Sequence, residues 1–168
     1  MTTPEPEAQR ERMGKASGIV DGNILEDLQR LGYLPDTVTL LRLTPLVEVA
    51  WADGQLTNSE RAMILGTAAT RDVEWESPAY YQLLDWMAHQ PSSEFFEKSW
   101  RALRSALDRL PADQRTTWRH DLISSCSNVA LASEETPGSG LWICDAERRL
   151  IDRLAWELTP RSDSPMVG

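Results

Sequence analysis

The stretch Phe96-Glu97-Lys98-Ser99-Trp100-Arg101-Ala102-Leu103-Arg104-Ser105-Ala106-Leu107-Asp108-Arg109-Leu110 decides the fold class. Phe96, Trp100, Leu103, Leu107 and Leu110 step by four and three, which lays them along one stripe of an α-helix. The same spacing links Trp118, Leu122, Cys126, Val129, Ala130 and Ser133 in a following helix, and Ala146, Leu150, Leu154 and Leu158 in a last one. Upstream, helices are expected over 23–31, 36–52, 58–71 and 78–89, each bounded by Pro, Gly, Ser or Asp. Pro45 falls inside the second of these and either kinks it or begins a new helix with Thr44 as its N-cap; a kink is expected. No segment alternates with period two between hairpin turn signals, so no sheet is required. The expectation is an all-α fold, one compact bundle of about seven helices over 18–158, between a flexible segment 1–17 and a flexible tail 159–168.

The 168 residues suffice for one ordinary core, and 41% hydrophobic with 26% charged residues is the mixture of a globular chain. The formal charge of −9 disfavours nucleic acid and anionic membrane surfaces, which bind through positive charge. It suits cationic partners or metal ions, and equally a role in keeping the domain soluble. Met1 to Lys15 lack the apolar run of a secretory signal, and no stretch of about 18 apolar residues occurs, so a cytoplasmic location is expected. Without an export signal, Cys126 and Cys144 are expected as free, buried thiols.

The least generic segment is Val49-Ala50-Trp51-Ala52-Asp53-Gly54-Gln55-Leu56-Thr57-Asn58-Ser59-Glu60-Arg61. Its second half fits the end of an EF-hand calcium loop, with Asp53 at the fifth position, Gly54 at the sixth and Glu60 at the twelfth. Val49 and Trp51 occupy the first and third positions and offer no side-chain oxygen, so an EF-hand cage cannot form from this segment alone. Helix punctuation accounts for the rest: Gly54 suits the left-handed residue that ends one helix, and Thr57 with Glu60 makes a capping box that starts the next. Asp53 and Glu60 remain the candidate ligands for a divalent cation such as calcium, held weakly with turn carbonyls.

Ala50-x-Ala52-Asp53-Gly54-x-Leu56-Thr57-x-x-Glu60-Arg61, lying between two apolar helices, resembles the signature of the TerB-like (tellurite resistance) domains. That family is also similar to the N-terminal domain of a membrane-anchored DnaJ-type co-chaperone. Outside the motif only the helical pattern matches. The resemblance implies a compact helical bundle, association with tellurite and other chemical stress, metal binding, and assembly with other proteins in stress-response complexes near the membrane. It implies no defined enzymatic activity.

A weaker second copy follows, in which Val129-Ala130-x-Ala132-Ser133 parallels Val49-Ala50-x-Ala52-Asp53 and Glu147-Arg148 parallels Glu60-Arg61, suggesting an internal pseudo-repeat. Ser133 replaces the aspartate, and the copies differ by the insertion Glu134 to Asp145, an acidic loop with Pro137, Gly138 and Gly140. Glu134, Glu135, Asp145 and Glu147 are secondary metal candidates because they surround this degenerate copy.

No catalytic residue is assigned. His89 and His120 lie outside any metal-protease spacing, and Ser124, Cys126 and His120 lack the local context of a nucleophile site. Gly138-Ser139-Gly140 lacks the Lys-Ser/Thr of a phosphate loop. Of the seven tryptophans, Trp100 and Trp118 fall on apolar stripes, whereas Trp75 and Trp142 fall near loops and are candidates for an exposed aromatic surface. Two functional expectations result: a non-enzymatic stress-response module that binds a divalent cation weakly and acts through protein contacts, or a metal-independent interaction scaffold using that surface.

Overall fold

A computed structural model of the chain describes residues 6–132 and 145–158, and every regular element among them is helical. In chain order these are α1 (Pro6–Ser17), α2 (Gly22–Arg30), a 3-10 helix (Val38–Arg42), α3 (Thr44–Trp51), α4 (Asn58–Ala69), α5 (Pro78–Ala88), α6 (Ser93–Asp108), α7 (Ala112–Ala132) and α8 (Asp145–Glu157). The all-α expectation holds, and the helix starts have identifiable chemical causes. Asp21 accepts the Asn23 and Ile24 amides at the head of α2, Ser77 accepts Tyr80 N–H ahead of Pro78 in α5, and Ser92 accepts Phe95 N–H in α6. Among the described residues no helix is long and apolar enough to cross a membrane.

Two expectations are corrected. The segment expected to be flexible over 1–17 is helical from Pro6 to Ser17. Met13 is its one buried residue, too sparse a signal for periodicity, yet that side chain is fully enclosed. Gly14 permits the approach: a Cβ there would stand 2.9 Å from the Ile19 carbonyl oxygen. At the other end of α1, Gln29 Nε2 donates to the Pro6 carbonyl across 3.0 Å. The second correction concerns Pro45, which starts a helix instead of kinking one. The expected 36–52 helix is a 3-10 helix followed, after Leu43, by α3 with Pro45 in its first turn, where the missing N–H leaves no bond unmade. Thr44 is not the N-cap: its hydroxyl donates back to the carbonyls of Leu40 and Leu41, at 3.3 and 2.8 Å. The tail 159–168 lies outside the described residues.

The core is organised on α3, whose Leu46, Val47, Val49 and Ala50 are essentially without solvent exposure. This helix packs against α6, α7, α8 and α4. Burying such apolar side chains contributes roughly 1.5–3 kcal/mol each against the conformational entropy of folding. The buried Tyr33 marks a second centre, stacked on Phe95 and edge-on to Trp86, with its hydroxyl 2.8 Å from Ser99 Oγ. Burial pushes its phenol up to about 12, so it remains a neutral hydrogen-bonding group.

Candidate functional site: a buried carboxylate pair at two helix starts

The chain leaves α3 at Trp51 and turns through Asp53 and Gly54 into α4. Gly54 takes φ +86°, the left-handed conformation expected of it, and its N–H reaches Trp51 O at 2.8 Å. Asp53 is exposed, and its Oδ1 accepts the Gln55 N–H at 3.0 Å, so it closes the turn. The Trp51 indole donates to the Trp86 carbonyl at 2.9 Å and ties the end of α3 to α5.

The capping box forms as expected. Glu60 N–H donates to Thr57 Oγ1 at 3.2 Å, and Thr57 N–H donates to Glu60 Oε2 at 2.7 Å. An ordinary capping glutamate sits in water, whereas Glu60 has no exposed surface. Its Oε1 is buried with no hydrogen-bond partner among the described residues. Burial pushes the Glu60 carboxyl up from 4.5 to about 7, against the lowering effect of the Thr57 hydrogen bonds. The charges of Glu147 and Asp53 raise it further.

Glu147, expected from the sequence to parallel Glu60, is also fully buried. Glu60 and Glu147 are each the third residue of their helices, α4 and α8, and both helices pack on α3 and α7. The flanking residues follow the same plan, since Val49, Ala50, Val129 and Ala130 are all fully buried. The fold thus brings Glu60 and Glu147 into electrostatic reach of each other. Asp145 is exposed in the first turn of α8, and Glu134, Glu135 and Ser133 lie outside the described residues.

Sequence reasoning paired Glu60 with Asp53 and ranked Glu147 with the loop acids. The structure instead gives Glu147 the same helix position and burial as Glu60. The available signal was the Glu-Arg pair following an apolar Val-Ala segment in both copies, obscured in the second by the insertion. Among the described residues no group of three or more His, Cys, Asp or Glu side chains is arranged to hold a metal ion. The arrangement therefore concentrates negative charge in a low-dielectric place without a preformed cage, a setting that favours uptake of a proton or a cation.

The remaining candidates separate clearly. Cys126 is a free, fully buried thiol whose ionisation burial opposes, and Cys144 lies outside the described residues. His89 and His120 are exposed, on the C-cap of α5 and on α7. Trp75 is 75% exposed, as its loop position suggested, and its ring lies 4.7 Å from that of Tyr80, which in turn meets Tyr81 edge-on. Asp72 and Glu76 flank Trp75 with positive φ, an uncommon conformation for residues with side chains. Trp142 lies outside the described residues.

No family model, curated protein or solved structure matches the chain.

Proposed function

We propose that the chain is a non-enzymatic, cytoplasmic module of the TerB-like kind, serving in the response to tellurite or other chemical stress. In this reading it takes up a divalent cation weakly beside Glu60 and acts through contacts with other proteins. The observation that carries the cation is the buried Oε1 of Glu60, which has no hydrogen-bond partner among the described residues, with the charges of Glu147 and Asp53 both opposing its ionisation. A hard cation such as calcium would relieve that repulsion. Two or three carboxylates supply fewer than the six to eight oxygens calcium takes, which is why turn carbonyls and water must complete the shell and why the affinity is low.

Terbium titration of the metal-stripped protein, exciting tryptophan, tests this reading because Trp51 closes the helix that leads into the turn. Saturable emission, displaced by calcium and lost in Glu60→Gln and Asp53→Ala, is the expected result. Emission indifferent to both substitutions would remove the cation from the proposal.

The exposed Trp75 and Tyr81, joined through the half-buried Tyr80, favour a second reading, a metal-independent interaction scaffold. Backbone strain of roughly 1–3 kcal/mol per residue at Asp72 and Glu76 accompanies the outward display of an aromatic side chain. A partner lost by Trp75→Ala and retained by Glu60→Gln would support this reading over the first.

A further inference from the structure

Between α4 and α5 the chain turns aromatic surface outward. Trp75 is the most exposed large apolar side chain among the described residues, and Tyr81, in the first turn of α5, is also exposed. The half-buried Tyr80 joins them, its ring 4.7 Å from that of Trp75 and 5.7 Å from that of Tyr81. Tyr80 is itself anchored, since it packs on the core and its N–H donates to the capping Ser77 hydroxyl at 3.2 Å. Rings held in place before contact lose little freedom when a partner arrives.

The same stretch carries charge of one sign. Asp72, Glu74, Glu76 and Asp85 are exposed, and residues 72–88 include no lysine or arginine. None of these four carboxylates forms an ion pair among the described residues. The arginines on adjoining segments are engaged elsewhere. Arg71 is half-buried and within electrostatic reach of the Cys126 thiol, and Arg42, on the 3-10 helix that α5 packs against, lies 5.8 Å over the Trp118 ring. Trp75 stands between Glu74 and Glu76 in the chain, and Asp85 follows Tyr81 by one helical turn on the same face. Aromatic faces attract cations and the carboxylates repel anions, so both features select the same sign of occupant.

We propose that this ledge docks a basic, arginine-bearing segment of a partner protein, with guanidinium planes on Trp75 and Tyr81 and their donors turned to Glu74, Glu76 and Asp85. Arginine suits it better than lysine because a planar, weakly hydrated head both stacks on a ring and meets a carboxylate with paired donors. The inference rests on the scaffold reading and adds the chemistry of the partner, independently of the Glu60 turn.

Fluorescence anisotropy with a labelled hexapeptide alternating glycine and arginine tests it on the full chain, against the same peptide with neutral citrulline in place of arginine. The arginine peptide should bind saturably and shift the indole N–H resonance that is missing from Trp75→Ala. Trp75→Ala should weaken binding by at least about threefold. Glu74→Gln/Asp85→Asn should do the same, while Asp113→Asn/Asp121→Asn, an equal loss of charge at exposed positions on α7, should not. Thermal melts establish that each variant is folded. No saturable binding, equal affinity for the citrulline peptide, or equal weakening by the two charge pairs would overturn the basic partner. Citrulline-peptide binding that is still lost in Trp75→Ala would overturn only the charge selection and leave the aromatic scaffold standing, whereas binding indifferent to Trp75→Ala would remove both. Sedimentation showing a dimer that Trp75→Ala dissociates would assign the ledge to a second copy of the chain instead.

Discussion

Replacing Glu60 with glutamine should stabilise the protein at pH 8 and leave it little changed at pH 5. The sign follows from the buried carboxyl, raised from 4.5 to about 7 first by loss of water and then by Glu147 and Asp53. Between those values the folded chain holds a proton that the unfolded chain has released. The contribution to stability is therefore fully present below 4.5 and is lost as the pH rises through about 7. A rise of that size corresponds to about 3 kcal/mol. Glutamine keeps a carbonyl oxygen for the Thr57 amide, at 2.7 Å in the parent, but its NH2 takes the buried place of Oε1, which has no partner among the described residues, at a cost of about 1 kcal/mol. The net gain at pH 8 is about 2 kcal/mol, or about 4–8 °C in Tm for a chain of this length. At pH 5 the parent is already mostly protonated, and the variant should fall within about 1 kcal/mol of it. Urea and thermal unfolding in chelator at both pH values measure the difference. If the variant is destabilised equally at pH 5 and pH 8, the electrostatic account of the buried pair is wrong.

Gly54→Ala forces an L-residue into φ +86° and should lower stability by about 1 kcal/mol in urea unfolding. Tyr33→Phe removes the hydroxyl 2.8 Å from Ser99 and leaves that buried Oγ short of a partner; a loss of about 1–2 kcal/mol is expected, with the variant still folded by circular dichroism. Gly14→Ala drives a Cβ against the Ile19 carbonyl and should loosen α1 from α2, seen as faster hydrogen exchange around Met13 while the α3 amides keep their protection.

The seven helices expected from periodicity and punctuation correspond to helical segments in the structure, because their stripes are dense: Phe96, Leu103 and Leu107 in α6, or Leu122, Cys126 and Val129 in α7. The helix α1 was illegible for the opposite reason, one buried methionine among twelve residues, with docking dependent on an absent side chain at Gly14. Pro45 was legible only as a choice between two outcomes. The deciding interaction is the Thr44 hydroxyl bonded to two carbonyls of the preceding 3-10 helix, a contact made by the fold. At the candidate site the capping box and the Gly54 turn could be read directly, since both are local chemistry. The burial of Glu60 and its electrostatic meeting with Glu147 depend on α4 and α8 docking against the same pair of helices. No local rule contains that information.

The eight residues of α3 explain how a buried carboxylate pair and a cavity lined by Glu48, Trp100 and Leu150 coexist in so small a bundle. Val49 and Ala50 are spent entirely on the core, and the end of the helix sets the turn that carries Asp53 and delivers Glu60. Glu48 and Trp51, three positions apart, share the side that lines an adjoining cavity. Trp51 is fixed by its bond to the Trp86 carbonyl and Glu48 by the Trp100 indole, so neither of them depends on the protonation of Glu60. The net charge of the chain is thus unevenly spread: one region gathers buried carboxylates, and the other balances Arg101, Arg104 and Arg153 against Glu48, Glu97 and Glu157.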